Sequence, residues 1–199
     1  MTTPLEQLND DAVLTAAVGY IFVADPDTAP PTLAEIEAFD PAQEFSWGVS
    51  IGHTAREDLH EFGFDGGDTE TRGTWQKAAM RTVTTEVPVD YVVINLHQFD
   101  DTGLGLYYGQ ASGGTTPGVF AVKDAPTRTV QKAVLIIIVD GDHKVGFCAP
   151  KSDIKREDSI ELEVDEFAVL PVRATFVKGT HDLFQWISEE INPAAAPAG

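Results

Sequence analysis

Cysteine is almost absent: Cys148 stands alone on an apolar stretch, so no intramolecular disulfide can form and a small buried residue made in a reducing cytoplasm is expected. Basic residues are scarce, 13 Lys and Arg against 32 Asp and Glu, which gives a formal net charge of −19. Residues 1–100 carry 18 acids and 4 bases, so the first half is the more acidic. No local basic patch is apparent along the sequence, so a conventional nucleic-acid-binding surface is not expected. Long apolar runs are missing as well. The longest, "AVLIIIV" at 133–139, is strand-sized and far short of the ~18–20 residues of a membrane span. The N-terminus "MTTPLEQLNDDAVL" shows no basic region followed by an apolar stretch, so no signal peptide is expected.

What is present reads as an ordinary globular chain of 199 residues, 43% hydrophobic and 23% charged. The pattern is mainly β. "AVGYIFVAD" (17–25), "FSWGVSIGHT" (45–54), "RTVTTEV" (81–87) and "DYVVINLHQF" (90–99) are rich in β-branched and aromatic residues. "KAVLIIIVDGDHKVGFCAP" predicts a hairpin turning at Asp140-Gly141, its second strand stopped by Pro150. "SIELEVDEFAVLPVRATFVKG" alternates over a long stretch, with Ile160, Leu162 and Val164 on one face. Two short helices are expected. Thr32 and Glu35 form a capping box before "TLAEIEAF", and Asp100 or Asp101 caps "TGLGLYY", which closes at Gly109. Gly103 and Gly105 each cost that second helix roughly 1 kcal/mol of propensity, so it requires tertiary support. "HDLFQWISEEI" is a strand or a short helix. With no internal repeat and no linker, residues 1–193 are expected to form one domain, the N-terminal arm and Pro-rich loop of about 1–46 included, and 194–199 a flexible tail.

Catalytic and metal chemistry find little foothold. Asp65, Asp68 and Glu70 surround Gly66-Gly67, but they lack the alternating oxygens and terminal glutamate of a roughly twelve-residue calcium loop, and Arg72 lies close enough to engage one of them. Asp140 and Asp142 are explained by turn chemistry. His53, His60, His97, His143 and His181 fit no zinc spacing. Ser112 in "QASGG" lacks the strand-turn-helix frame of a nucleophile elbow, and its loop has no phosphate-binding Gly-Lys-Ser/Thr. The stripe Glu161, Glu163, Asp165 reads either as the solvated outer face of a half-buried strand or as an acidic wall facing a channel. No cofactor or catalytic residue is expected.

A resemblance adds a specific reading. "IGHTAREDLHEFGFDGGDTETRGTWQKAAMRTV" (51–83) resembles the central signature of the major tail tube proteins of long-tailed phages infecting actinobacteria. The likeness continues in order through "NLHQFDDTGLGLYYG" (95–109), "VLIIIVDGDHKVGFCAPKSDIKREDSI" (134–160), "DEFAVLPVRATF" (165–176) and "LFQWISEEINP" (183–193). It implies a tail tube β-sandwich or barrel with a flanking short helix, and a non-enzymatic virion protein made in the host cytoplasm. It further implies self-assembly into stacked hexameric rings that conduct DNA without binding it. The partners implied are further copies, the tape measure, tail terminator and distal tail proteins, and no membrane. On this reading Gly66 and Gly67 turn the chain at a subunit contact, Asp68, Glu70 and Arg72 pair between neighbours, and Trp75 is an apolar anchor; the alternative is purely local pairing with Trp75 in the core. Glu161, Glu163 and Asp165, or Thr82, Thr84 and Glu86, line the lumen. A tube-end connector and a calcium-dependent β-sandwich binding module are the alternative functions.

Overall fold

The computed structural model describes residue 9 and residues 12–56, 60–110, 116–122, 129–162 and 164–192. The protein is mainly β, with antiparallel pairing throughout the described strands and two short helices. It divides into two compact units, the first formed by residues 1–51, 132–151 and 178–199, the second by 52–131 and 152–177.

In the first unit, β1 (Val18–Ala24) pairs with β7 (Val130–Asp140) from Val18↔Val139 to Ala24↔Ala133. The short β2 (Val49–Ser50) flanks β1, and β10 (Gln185–Ile187) pairs with β8 (His143–Arg156). Strand β7 turns into β8 at Asp140-Gly141, where Gly141 takes φ +62°, the left-handed conformation that an Asp-Gly turn supplies. α1 (Leu33–Glu37) begins with the expected capping box: the Thr32 amide donates to Glu35 Oε2 at 2.7 Å, and the Glu35 amide donates back to Thr32 Oγ1. The helix buries Ile36 against Phe22, Phe39, Leu135, Ile137 and Cys148. Phe22, Phe39 and Phe45 pack around it in tilted and edge-to-face pairs, at ring separations of 5.2–5.8 Å. Burial pushes the Cys148 thiol up to about 12, which makes it an inert core residue.

The second unit carries β3 (Glu61–Asp65), β4 (Thr69–Thr74), β5 (Lys77–Thr84), β6 (Val89–Leu96), α2 (Asp101–Tyr108) and β9 (Leu170–Phe176). Strands pair in the order β3–β6–β9, followed by the end of β8 through Ser152–Arg156. Alternation assigns Val92, Ile94, Leu96, Leu170, Val172, Ala174 and Ile154 to the buried face. α2 packs against β9. Asp100 caps it through the Gly103 amide at 2.8 Å, and Gly109 closes it at φ +69°. The tertiary support that it requires comes from buried Leu106 and Tyr107, whose hydroxyl donates to the Asp158 carbonyl at 2.8 Å, while Gly103 is required because a Cβ there would come within 2.3 Å of the Gln98 carbonyl oxygen.

Three strand expectations are corrected. Pro150 does not stop β8, which runs on to Arg156. Register to β10 ends at Cys148 and register to β9 begins at Ser152, so Pro150 falls where β8 changes partner on this edge, a break at which a proline is tolerated. Its carbonyl accepts from the Asp27 amide at 2.8 Å. "FSWGVSIGHT" yields only the two residues of β2, because Gly48 is pressed against the Val23 carbonyl and Gly52 takes φ +81°. Among the described residues the alternating run from Ile160 forms no strand before β9: there is an isolated bridge, Glu161↔Val169, and Leu162 and Val164 are 78% and 101% exposed instead of facing a core.

Candidate subunit interface

β4 and β5 form a two-stranded sheet of their own, joined by Trp75 and Gln76. Every residue of β4 and all of β5 except Val83 are exposed, so among the described residues nothing gives this hairpin a core. An isolated two-stranded hairpin is at best marginally stable in water. Trp75 at its tip is 99% exposed and Met80 60%. Trp75 is therefore not a core residue of the protomer. Gly73 marks a register shift in the hairpin, and a Cβ there would lie 2.1 Å from the Ala78 carbonyl oxygen.

The hairpin has two chemically distinct faces. Arg72 lies directly opposite Arg81 and Glu70 opposite Val83, so Glu70, Arg72 and Arg81 share one face, which Lys77 joins by alternation along β5. The other face carries Thr69, Thr71, Met80, Thr82 and Thr84. Arg72 Nε donates to Glu70 Oε2 at 3.2 Å, so these two residues pair locally on a well-exposed surface, an arrangement worth little to stability. Among the described residues Lys77 and Arg81 have no ion-pair partner.

The root of the hairpin is held more firmly. Gly66 and Gly67 take φ +77° and +79° between β3 and β4, and the Gly67 amide donates to the Glu86 carbonyl at 3.2 Å. A Cβ at Gly66 would approach Val87 O to 2.9 Å, so the demand for glycine is internal to the protomer. The Asp68 carbonyl accepts from the Thr85 amide at 2.8 Å and from the Thr85 hydroxyl at 3.0 Å. Glu86 thus stands at this root, beyond the end of β5. Asp65, just ahead of the glycines, accepts from Arg173 Nη1 at 2.6 Å. Arg173 also grips Glu157 through Nε at 2.6 Å and through Nη2, and its guanidinium lies 3.8 Å from the Tyr91 ring centroid. Hydrogen bonding to Glu157 raises the Arg173 pKa further, so its charge is permanent. Tyr91 in turn covers Gly63, where a Cβ would fall 2.6 Å from the ring.

The structure therefore brings Gly66, Gly67, Asp68 and Glu86 to one root, pairs Glu70 with Arg72, and sets Thr82 and Thr84 on the neutral face. Glu161 and Asp165 lie in the exposed segment before β9, and Glu163 lies outside the described residues, as does Ser112. Arg173 escaped the sequence reading. Its signal was a lone charge inside the apolar strand "AVLPVRATF", a position that requires an acidic partner. Among the described residues no three His, Cys, Asp or Glu side chains converge on a metal site.

The family model described as phage tail tube protein matches residues 6–198. The chain is 51% identical over 189 residues to "Major tail protein Gp23" of Mycobacterium phage D29, covering 92% of this chain and 94% of that one. It is 48% identical over 198 residues to "Major tail protein Gp23" of Mycobacterium phage L5, covering 96% and 98%.

Proposed function

The chain belongs to the phage tail tube protein family, and from that premise we propose that its copies close into hexameric rings, stack into a tube and leave a lumen through which genome DNA passes. The coarser statement is secure: it is a structural protein of the virion tail, in a family not known to be enzymatic. The observation that carries the finer reading is the β4–β5 hairpin. A fully exposed sheet with a bare tryptophan at its tip finds its stabilising contacts outside the protomer. Closed symmetry gives each such surface a partner on another copy.

Charge supports the conduit. Six copies at −19 each carry a formal charge of about −114, and a lumen of that sign repels phosphates so that DNA slides without sticking. We assign Thr82, Thr84 and Glu86 to this wall, because the two threonines share the neutral face of the hairpin and Glu86 stands at its root. Glu161 and Asp165 are not assigned to it, since among the described residues no strand carries them, and Glu163 lies outside those residues. Adding a positive charge at Glu86 by Glu86→Lys slows DNA ejection while tubes still form; ejection at the normal rate would remove Glu86 from the wall. For the assembly itself, the test is negative-stain electron microscopy of the concentrated protein. Rings or tubes with six-fold end views support the reading, and dispersed particles at every concentration count against it.

A further inference from the structure

We propose that the β4–β5 hairpin of one copy docks onto the segment Glu161–Phe167 of a second copy, with Lys77 and Arg81 facing Asp165 and Glu166 and Trp75 covering Leu162, Val164 and Phe167. The proposal rests on the reading that copies of this chain assemble with one another. Two independent mismatches within the protomer carry it.

The first mismatch is electrostatic. The hairpin holds three basic side chains and one acidic one, in a chain whose net charge is −19. Arg72 and Arg81 face each other directly across the strands, an arrangement that is destabilising unless an outside anion relieves it. Glu70 offsets Arg72 alone, which leaves Arg81 and Lys77 as charges without an ion-pair partner among the described residues. The sequence 161–166, "ELEVDE", has four acids and no base. Glu161, Asp165 and Glu166 are exposed, and among the described residues none makes an ion pair. Each surface has the sign the other lacks.

The second mismatch is apolar. Leu162, Val164 and Phe167 are 78%, 101% and 84% exposed within six residues of chain. Leu162 and Val164 alternate with acids in the pattern of a strand with one covered face, yet among the described residues both stay largely uncovered, and Phe167 remains 84% exposed although it packs one side on the His97 ring at 5.7 Å. A large apolar side chain without a contact, Trp75, stands on the surface of opposite charge. Docking the hairpin covers both sets at once. Because the contact joins two different patches, it is heterologous and propagates from copy to copy.

The experiment mixes isotopically light and heavy protein at high concentration, cross-links with a zero-length carbodiimide, and maps products by mass spectrometry. The expected product is a mixed-isotope amide between Lys77 and Glu161, Asp165 or Glu166. In a second arm, Arg81→Glu reduces its yield by about tenfold, the scale expected from reversing an exposed charge contact, and adding Asp165→Lys and Glu166→Lys to a mixing partner of the Arg81→Glu protein restores association, read by sedimentation. Among the described residues Lys77 and Arg81 have no ion-pair partner, so an unchanged melting temperature shows that folding is not the cause. Absence of the Lys77 cross-link, or Arg81→Glu protein that assembles normally, overturns the docking. If tubes form without that cross-link, the docking fails while the tube reading stands; if the protein forms no rings or tubes, the tube reading fails.

Discussion

Replacing Trp75 with alanine separates folding from assembly more cleanly than any other single change. The side chain is 99% exposed, so its removal deprives the protomer of no buried contact. Exposed substitutions of this kind usually shift stability by no more than about 0.5 kcal/mol, which for a chain of this size moves Tm by at most roughly 2 °C. Assembly responds differently. A tryptophan side chain presents roughly 150–250 Å², and at about 25 cal/mol per Å² its complete burial corresponds to roughly 4–6 kcal/mol. Ordering of the hairpin and incomplete burial reduce this to the ~2–4 kcal/mol of an interface hot spot, or a roughly 30- to 800-fold weaker association. The assay is sedimentation across a concentration series, with Tm of the dilute protein measured alongside. A Trp75→Ala protein whose concentration threshold for assembly is unchanged would refute the interface role. A fall in Tm of more than about 4 °C would refute the premise that the residue has no partner in the protomer.

Two further predictions concern the body of the protein. Ser152 is completely buried and its Oγ makes no hydrogen bond among the described residues, so Ser152→Ala removes a desolvated hydroxyl and raises stability by up to about 1–2 kcal/mol; a lower denaturant midpoint would show that the hydroxyl is satisfied. Asp27 accepts from the Thr180 amide at 2.8 Å, and that bond, assisted by Lys151, holds its carboxyl below the ordinary 3.8. A lowered folded-state value means that the stabilisation is present above pH 3.8 and is lost as pH falls through the folded value. Asp27→Asn, which tolerates the φ of +64° at this position, therefore lowers Tm at pH 7, and the gap from the natural protein closes below pH 3.8; a gap independent of pH would assign the effect to packing.

Features written within a few residues of chain were legible in the sequence. The Thr32–Glu35 capping box, the Asp100 and Gly109 caps of α2 and the Asp140-Gly141 turn all occur where local chemistry placed them. Each depends on hydrogen bonds or dihedral angles spanning about one helical turn or one β-turn. Family membership was legible for a different reason, because it rests on ordered likeness along most of the chain and not on any single site.

Tertiary structure decided what depends on partners distant in sequence. Pro150 looks like a strand end until β8 is seen to change partner there on one edge, from β10 at Cys148 to β9 at Ser152. The segment from Ile160 to Asp165 has the alternation of a strand, but alternation specifies only which side chains seek cover. Strand formation also requires a neighbouring edge, and among the described residues the segment finds one bridge, Glu161↔Val169. Likewise "TETRGTWQKAAMRTVT" reads as two strands and a turn in any setting. That it stands without a core, with Arg72 facing Arg81 and Trp75 bare, follows from long-range pairing and burial, which no short stretch of sequence encodes.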